Sequence, residues 1–477
     1  MAEFDLVIRG GTAATAADVF RTDIGVRGGR IAALAIDLPA GRREIDANGL
    51  LVLPGGIDAH CHLDQPTGDE SVMADDFTSG TRSAACGGTT TLMPFAAQMK
   101  GQSLREAVSD YHCRANGKAF VDYAFHLIVT DPTPQVLGQE LPALIRDGYT
   151  SFKIYMTYDT LKLSDREILD VLALARSEGA LVMIHAENAD CIGWLTDRLE
   201  RGGHFAPKFH AAARPQIAER EAMHRAIALA EVVDTPILIV HVSGQEAIEQ
   251  IRWARSRGLP IYAETCPQYL FLTADDLAAP GFHGAKCVCS PPPRDSPSQA
   301  AVWHGLRDGL FQVFSSDHAP FRYDDPKGKQ VAKAASSFAC IPNGIPGLET
   351  RLPLLFSAGV NEGRIDICQF VALTSTNPAK MYGLSPRKGS IAIGADADLT
   401  IWDANREATI TNDMLHHNVD YTPYEGMRVR GWPVTTVSRG EILWSDGQFH
   451  APESHGQFLR CDPPQSIPAR QARRRDP

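Results

Sequence analysis

The sequence predicts an α/β protein in which a TIM-like (β/α)8 barrel is inserted into a small β-sandwich formed by the two ends of the chain. Three observations lead to this fold class. Eight short apolar runs occur between residues 51 and 317, amphipathic stretches separate several of them, and short strand-like segments flank the whole region. Eight strands that alternate with helices favour a closed parallel barrel over an open sheet.

The candidate barrel strands are apolar runs bounded by polar or turn-forming residues, a pattern typical of buried parallel strands. They are Leu51–Asp58, Thr89–Ala96, Val121–Val129, Thr150–Met156, Ala180–Ala186, Pro236–Val242, Pro260–Cys266 and Phe311–Asp317. The intervening helices are clearest at Ser103–Ala115, Ser164–Ser177, Glu221–Val233 and Gln245–Arg257.

The two ends of the chain are predicted to be rich in β-strands. The candidate strands there are Asp5–Ile8, Asp23–Val26, Arg30–Ala35, Gly389–Trp402 and Val434–Trp444, with Gly28-Gly29 as a hairpin turn. Because neither end has a core of its own, we expect the two to form one sandwich. The predicted units are residues 1–54 and 381–457 for its halves, 55–380 for the barrel and 458–477 for a C-terminal tail.

Composition indicates an ordinary globular protein. Hydrophobic residues make up 44% of the 477 residues and charged residues 22%. The net charge of −11 argues against nucleic acid as a partner, and the chain has no run of eighteen apolar residues that would span a membrane. The start has no secretory pattern and the ten cysteines form no framework, so we expect a cytoplasmic protein with free thiols. The basic segment Ala469–Arg475 is expected to be flexible or to contact another subunit.

The pair His60 and His62 is the sharpest chemical feature of the sequence. It directly follows the first candidate barrel strand, and residues two apart in a strand point to the same face. Two neighbouring imidazoles form a good site for a transition metal. The alternative interpretation is a pair of ordinary polar residues at the end of a strand.

Three further polar residues close other candidate strands and strengthen the metal interpretation. His185, His241 and Asp317 each stand at the carboxyl end of an apolar run. Each histidine alone is more often a hydrogen-bonded core residue. However, the carboxyl ends of barrel strands converge on one rim, where barrel enzymes build their active sites. The sequence therefore predicts a metal site on this rim.

Lys153 lies inside a candidate strand, on the face opposite Phe152 and Ile154. A lysine that points into a barrel is costly unless it is paired or neutral, and burial lowers its affinity for a proton. A neutral amine can react with carbon dioxide to give a carbamate, whose two oxygens could bridge two cations. The alternative is an ion pair with Asp317 or Glu264.

Several motifs occur in the order found in the amidohydrolase superfamily, and together the chain resembles its dihydropyrimidinase and hydantoinase branch. The motifs are Gly55–His62, Ser151–Lys153, His185–Asn188, Val240–Ser243, Glu264–Tyr269, Ser290–Pro292, Asp317–Pro320 and Asn377–Lys380. The resemblance covers about residues 5 to 445.

This resemblance implies a binuclear centre in which carboxylated Lys153 bridges two divalent ions. Zinc is usual, with manganese or cobalt as alternatives. The remaining ligands would be His60, His62 and Asp317 for one ion and His185 and His241 for the other. Tyr158 matches a tyrosine that contacts the substrate carbonyl. Ser290 and Asn343 match positions whose backbone groups hold the ring amide.

The resemblance also implies the reaction, in which a hydroxide held between the metals opens a hydantoin or 5,6-dihydropyrimidine ring to an N-carbamoyl amino acid. Asp317 would shuttle the proton. Allantoinase and cyclic-imide hydrolase activities need the same site and stay open, whereas a non-catalytic homologue would typically have lost metal ligands. The family usually forms homotetramers or homodimers. Asp69 and Glu70, which follow His62, favour a small or polar ring substituent.

Overall fold

A computed structural model of the chain describes residues 2–67 and 71–465. The described strands are β1 Phe4–Ala14, β2 Val19–Arg27, β3 Arg30–Ala35, β4 Gly41–Asp46, β5 Leu51–Pro54, β6 Gly56–Cys61, β7 Thr89–Ala97, β8 Asp122–Tyr123, β9 His126–Ile128, β10 Ser151–Tyr155, β11 Leu181–His185, β12 Ile237–Ile239, β13 Ile261–Thr265, β14 Val313–Phe314, β15 Leu399–Thr409, β16 Arg428–Ser438, β17 Glu441–Ser445 and β18 Gln448–Phe449. They form two sheets, one built by β6–β14 and one by the strands at the two chain ends.

The helices follow the barrel strands as predicted. They are α1 Phe77–Cys86, α2 Leu104–Ala115, α3 Leu141–Arg146, α4 Asp165–Glu178, α5 Ala189–Arg201, α6 Phe209–Ala213, α7 Gln216–Val233, α8 Gln245–Ser256, α9 Gln268–Phe271, α10 Ser296–Arg307, α11 Arg351–Leu355, α12 Ile367–Val371 and α13 Asn377–Met381. Local sequence explains their ends. For example, Ser164 and Glu167 form a capping box at the start of α4, and Gly179 ends that helix in the left-handed conformation. Within the described part of the chain, no helix is both long and apolar enough to cross a membrane.

The barrel confirms the predicted fold class. Its strands run parallel in the order β14-β13-β12-β11-β10-β9-β7-β6, and β8 pairs with β7. Backbone hydrogen bonds join the two outer strands. The amide of Asp317 donates to the carbonyl of His60 (2.9 Å), and the amide of His62 donates to the carbonyl of His318 (2.7 Å). The closure therefore brings predicted site residues from the first and last strands together.

The second sheet joins both ends of the chain. Strand β5 pairs in parallel with β1 and antiparallel with β15, so it lies between the N-terminal and C-terminal strands. The predicted strand Leu51–Asp58 is wrong as a single element, because the chain changes sheets at Gly55. A Cβ atom on Gly55 would lie 2.1 Å from the hydroxyl oxygen of Thr90. This change of sheet supports the proposed domain ranges, which stay a proposal.

Three other predicted barrel strands are shorter than expected. The run Val121–Val129 contains β8 and β9 with a break between them, Pro236–Val242 contains only β12, and Phe311–Asp317 contains only β14. Pro94 of β7 lies beside the first break, and a proline has no N–H to donate to the neighbouring strand.

The segment after the second sheet returns to the barrel. Phe458 packs against the rings of Phe125 and Tyr149, with ring centroids 5.4 and 5.5 Å apart. The amide of Cys461 donates to the carbonyl of Gly148 (3.0 Å). Residues 458–465 of the predicted tail are therefore docked on the barrel, while its basic cluster at 469–475 lies outside the described residues.

Candidate metal centre

All six predicted metal ligands gather on the carboxyl-end rim of the barrel. Strands β6, β10 and β11 supply one each, and the other three follow β6, β12 and β14. They are His60, His62, Lys153, His185, His241 and Asp317, and their side chains are almost entirely buried. Their proximity follows from the alternation of side chains along short parallel strands whose ends converge.

One half of the cluster is centred on His60. Its Nε2 atom lies 2.7 Å from Nζ of Lys153 and 3.1 Å from a carboxylate oxygen of Asp317. The same oxygen lies 3.5 Å from Nε2 of His62. Lys153 therefore faces an imidazole nitrogen, and it forms no ion pair with a carboxylate among residues 2–67 and 71–465. The alternative of a simple ion pair to Asp317 or Glu264 is wrong.

The other half of the cluster is a pair of facing imidazoles. Nε2 of His241 lies 2.9 Å from Nδ1 of His185, and both side chains are buried. Nδ1 of His241 has no hydrogen-bond partner in the described part of the chain. One ligand atom each from His60, His241 and Asp317 lies within 4.8 Å of the others. The two halves thus form one continuous set of nitrogen and oxygen donors.

The electrostatics of the cluster fit a cation. Burial lowers the pKa of His62 to about 4 and the pKa of His241 well below its usual range, so both rings are neutral donors. Burial also lowers the pKa of Lys153 to about 8. For Asp317 burial acts in the opposite direction, but the imidazoles of His60 and His62 hold its pKa well below the usual range. Neutral imidazoles beside an ionised carboxylate are the donor set that zinc and similar ions prefer.

Three residues of the rim adopt a left-handed backbone conformation that residues other than glycine seldom adopt. The φ angles are 40° at His241, 48° at Asp317 and 67° at Tyr158. Such conformations cost about 1–3 kcal/mol each and are typical of functional sites. Their presence at three predicted site residues indicates that the fold holds these side chains in place against a local preference.

Buried carboxylates orient two of the imidazoles by contacting the ring nitrogen that faces away from the cluster. An oxygen of Glu264 lies 2.6 Å from Nδ1 of His60, and Ser315 donates a hydrogen bond to the same carboxylate (3.1 Å). An oxygen of Glu187 lies 2.8 Å from Nε2 of His185. Arg214 donates to that oxygen at 2.8 Å. These contacts fix which ring nitrogen faces the centre of the cluster.

Tyr158, Ser290 and Asn343 form one wall beside the metal ligands. Ser290 donates its hydroxyl hydrogen to the side-chain oxygen of Asn343 (3.2 Å) and also hydrogen-bonds with Tyr158. The ring of Tyr158 lies 5.4 Å from that of His185. Burial raises the pKa of Tyr158 to about 12, although Arg214 acts in the opposite direction. The phenol therefore remains protonated and can donate a hydrogen bond at neutral pH.

Sequence reasoning assigned no role to several residues that the structure places at this site. Arg214 lies over the ring of Tyr158, 5.4 Å from its centroid, and His210 lies 3.3 Å from the hydroxyl of Ser290. Neither carries a local signal. Glu187 had one, because it stands two residues after His185 and so shares its direction. The loop residues Asp69 and Glu70 lie outside the described residues.

A barrel with this set of histidine, lysine and aspartate side chains defines the class of metal-dependent amide hydrolases. The profile of the amidohydrolase family matches residues 51–443, and the chain belongs to this family. Within it, the chain belongs to the hydantoinase and dihydropyrimidinase branch, as the sequence motifs predicted.

Individual relatives cover almost the whole chain. A D-hydantoinase from Geobacillus stearothermophilus is 45% identical, over 95% of this chain and 96% of its own. A D-hydantoinase from Rhizobium radiobacter is 42% identical, over 96% of this chain and 98% of its own. The crystal structure of a dihydropyrimidinase from Brevibacillus agri superposes with a TM-score of 0.93 at 41% identity, over 96% of this chain and 99% of that one.

Proposed function

We propose that the protein opens the rings of hydantoins or 5,6-dihydropyrimidines by hydrolysis of a cyclic amide, which yields N-carbamoyl amino acids. The observation that carries this proposal is the single buried cluster of His60, His62, Lys153, His185, His241 and Asp317 beside a protonated tyrosine. The names and the high coverage of the relatives support the class of substrate.

The residues fit two divalent ions, for which we propose zinc. His60, His62 and Asp317 would hold one ion, and His185 and His241 the other. Lys153 would bridge both as a carbamate, because it is buried, its Nζ lies 2.7 Å from Nε2 of His60, and it forms no ion pair with a carboxylate among the described residues. Bound ions of this kind polarise a carbonyl and lower the pKa of water. Nδ1 of His185 and Nε2 of His241 face each other at 2.9 Å, and burial lowers the pKa of both rings, so two neutral nitrogen donors are available to one ion.

The chain's own groups would perform the remaining chemistry. The Tyr158 hydroxyl would donate a hydrogen bond to the ring carbonyl oxygen as that oxygen gains negative charge. Backbone groups of Ser290 and Asn343 would hold the ring amide in place. Asp317 would accept a proton from the attacking water and deliver it to the ring nitrogen as the carbon–nitrogen bond breaks. The buried position of Asp317 on the rim, 3.1 Å from His60, suits a group that shuttles a proton at the reacting centre.

We further propose that the enzyme works in the cytoplasm as a homotetramer or homodimer. All ten cysteines are free, which fits a reducing compartment. Size-exclusion chromatography with light scattering measures the number of subunits directly, and a monomer would remove that part of the proposal.

The experiment that tests the activity compares hydrolysis rates on a panel of rings, with protein produced in the presence of zinc and bicarbonate. The panel contains dihydrouracil, hydantoin, both enantiomers of 5-phenylhydantoin, succinimide and allantoin. Turnover of dihydrouracil or a hydantoin, abolished by a chelator and restored by metal, is the expected result. Turnover of succinimide or allantoin alone would move the function to a sister activity. A metal-loaded protein that turns over none of these rings would overturn the proposal.

A further inference from the structure

Lys329 is fully buried, and the mechanism described above does not use it. Burial lowers the pKa of its ammonium group to about 7, which means that the interior penalises its charge. Within the described residues its Nζ atom contacts no carboxylate. A buried lysine without an acidic partner destabilises the folded state. Its contacts are therefore expected to show a role that offsets this cost.

All three hydrogens of the ammonium have acceptors, and all three acceptors are backbone carbonyls. Nζ donates to Val288 at 3.0 Å, to Pro342 at 2.6 Å and to Gly344 at 2.6 Å. An ammonium group has three donors and no acceptor, so these contacts use its full capacity. The donor in each of these hydrogen bonds is charged, so each bond is stronger than a hydrogen bond between two neutral groups.

The three carbonyls belong to the two loops that carry Ser290 and Asn343. Val288 lies two residues before Ser290, and Pro342 and Gly344 are the two neighbours of Asn343. One direct backbone bond already joins the loops, from the amide of Gly344 to the carbonyl of Val288 (3.0 Å). The hydroxyl of Ser290 also donates to the side-chain oxygen of Asn343 (3.2 Å), and Lys329 adds a further connection that reaches both loops from one point.

The lysine is itself held firmly. Its own amide donates to the carbonyl of Arg322 (2.7 Å), and the preceding Gly328 lies so close to that carbonyl that a Cβ atom there would be 2.1 Å from the oxygen. Gly344 has a φ of +143°, and a Cβ atom there would lie 2.4 Å from that of Ala319. Both ends of the connection are thus tightly packed. A shift of Lys329 would therefore move the two loops, because the packing leaves little room to take up the shift.

We propose that Lys329 is a positioning residue that fixes the spacing between the Ser290 and Asn343 backbone groups that bind the substrate amide. This inference rests on the function proposed above. Lys329 touches neither the substrate site nor the metal ligands, and it acts through the two loops. Its loss would leave the metal centre intact and misplace groups that hold the ring in both the ground state and the transition state, so the effect should fall mainly on KM.

The test replaces Lys329 by methionine, which has similar length and lacks the donors. The matched control is Lys327→Met, the same change two residues away at an exposed position. For the substrate that the wild-type protein turns over, we expect Lys329→Met to raise KM by about 10-fold or more, with metal content unchanged and kcat reduced less than KM is raised. Amide hydrogen exchange should increase in residues 288–290 and 343–344 and not in the barrel strands.

A second variant tests the proposal if Lys329→Met does not fold. Lys329→Gln keeps two amide donors and should show an intermediate rise in KM. Unchanged KM in either folded variant would overturn the positioning role, as would a fall in kcat alone. If neither variant folds while Lys327→Met does, Lys329 is a general stabilising group and the inference is wrong. Failure of the proposed function can be distinguished from failure of this inference, because in the first case the wild-type protein would turn over no ring in the panel.

Discussion

An oxygen of Glu264 lies 2.6 Å from Nδ1 of His60, and both side chains are completely buried. This contact directs Nε2 of His60 toward Lys153 and Asp317. The second nitrogen of a metal-binding histidine commonly has such a partner, which raises the basicity of the ring and fixes its orientation. Glu264 is thus a supporting residue for the metal centre and stands outside the proposed set of ligands.

Removal of this carboxylate should weaken metal binding without destroying the site. We expect Glu264→Ala to lower metal affinity about 10- to 100-fold, because His60 loses its orienting partner. Competition with a calibrated chelator measures the change. Glu249→Ala, on the exposed face of α8, is the matched control. Equal affinity in both variants would show that the Glu264 contact does not support the metal.

The carbamate on Lys153 can be tested by isotopic labelling. We expect metal-loaded wild-type protein in 13C-bicarbonate to show one carbamate carbon per chain by NMR, because Lys153 is buried within the cluster beside His60 and burial lowers its pKa. Metal reconstitution without bicarbonate should restore little activity. Lys153→Arg cannot form the carbamate and should show neither the signal nor the activity. A fully active wild-type enzyme without the signal would contradict the prediction.

Asp317→Asn separates the proton shuttle from substrate binding. The amide cannot accept the proton, so we expect kcat per bound metal to fall about 10²- to 10⁴-fold, the usual contribution of a general acid–base group. Because Asp317 is also a proposed ligand, metal content must be measured on the same sample. Full activity in Asp317→Asn would remove the shuttle from the mechanism.

Tyr158→Phe removes one hydroxyl at the proposed carbonyl site. We expect kcat to fall about 10²- to 10³-fold, since the lost hydrogen bond acts on charge that develops in the transition state. Tyr382→Phe is a suitable control because that hydroxyl is buried and has no hydrogen-bond partner in the described part of the chain. If the two variants have the same kcat, Tyr158 does not stabilise the carbonyl oxygen.

A stability prediction concerns Lys388, which joins the barrel to the second sheet. Its Nζ lies 2.7 Å from Asp122, 3.0 Å from Asp396 and 2.6 Å from Asp398, and this cluster is buried. Lys388→Met would leave the buried carboxylate of Asp398 without a cation, while Asp122 would keep only Arg439 and Asp396 only its partly exposed arginine partners. We therefore expect a loss of about 3–5 kcal/mol in the free energy of unfolding. Urea unfolding measures it, with the exposed Lys380→Met as control. A loss below about 1 kcal/mol, the range of surface pairs, would contradict the prediction.

The gathering of the six proposed metal ligands could be predicted from sequence because five of them stand at or just after the carboxyl end of a short apolar run, and Lys153 lies inside another. His185 closes a strand of five buried residues, and the fold requires that such ends meet. The bounds of the strands were harder to predict. The run Pro54-Gly55-Gly56 marks a break in the chain, but it does not show that residues 51–54 and 56–61 pair in different sheets, because their partners β15 and β7 come later in the sequence.

Residues that act through distant partners were beyond sequence reasoning. Arg214 contacts Glu187 across 27 positions, and Lys329 contacts Val288 across 41. Neither position carries a periodic or motif signal, since the meaning of each side chain depends on which carbonyls or carboxylates the tertiary fold presents to it.

The insertion of β5 between β1 and β15 has a consequence for biosynthesis. Residues 51–54 are made early, yet one of the two neighbours of β5 is residues 399–409, which leave the ribosome only after the entire barrel sequence. During translation, this edge of β5 therefore stays unpaired until a partner some 350 residues later in the chain has been made. An unpaired strand edge can pair with other chains and so promote aggregation. Closure of the barrel cannot supply this partner, so the edge of β5 becomes paired only once residues 399–409 have been made, and synthesis of the C-terminal strands is the step that removes this risk.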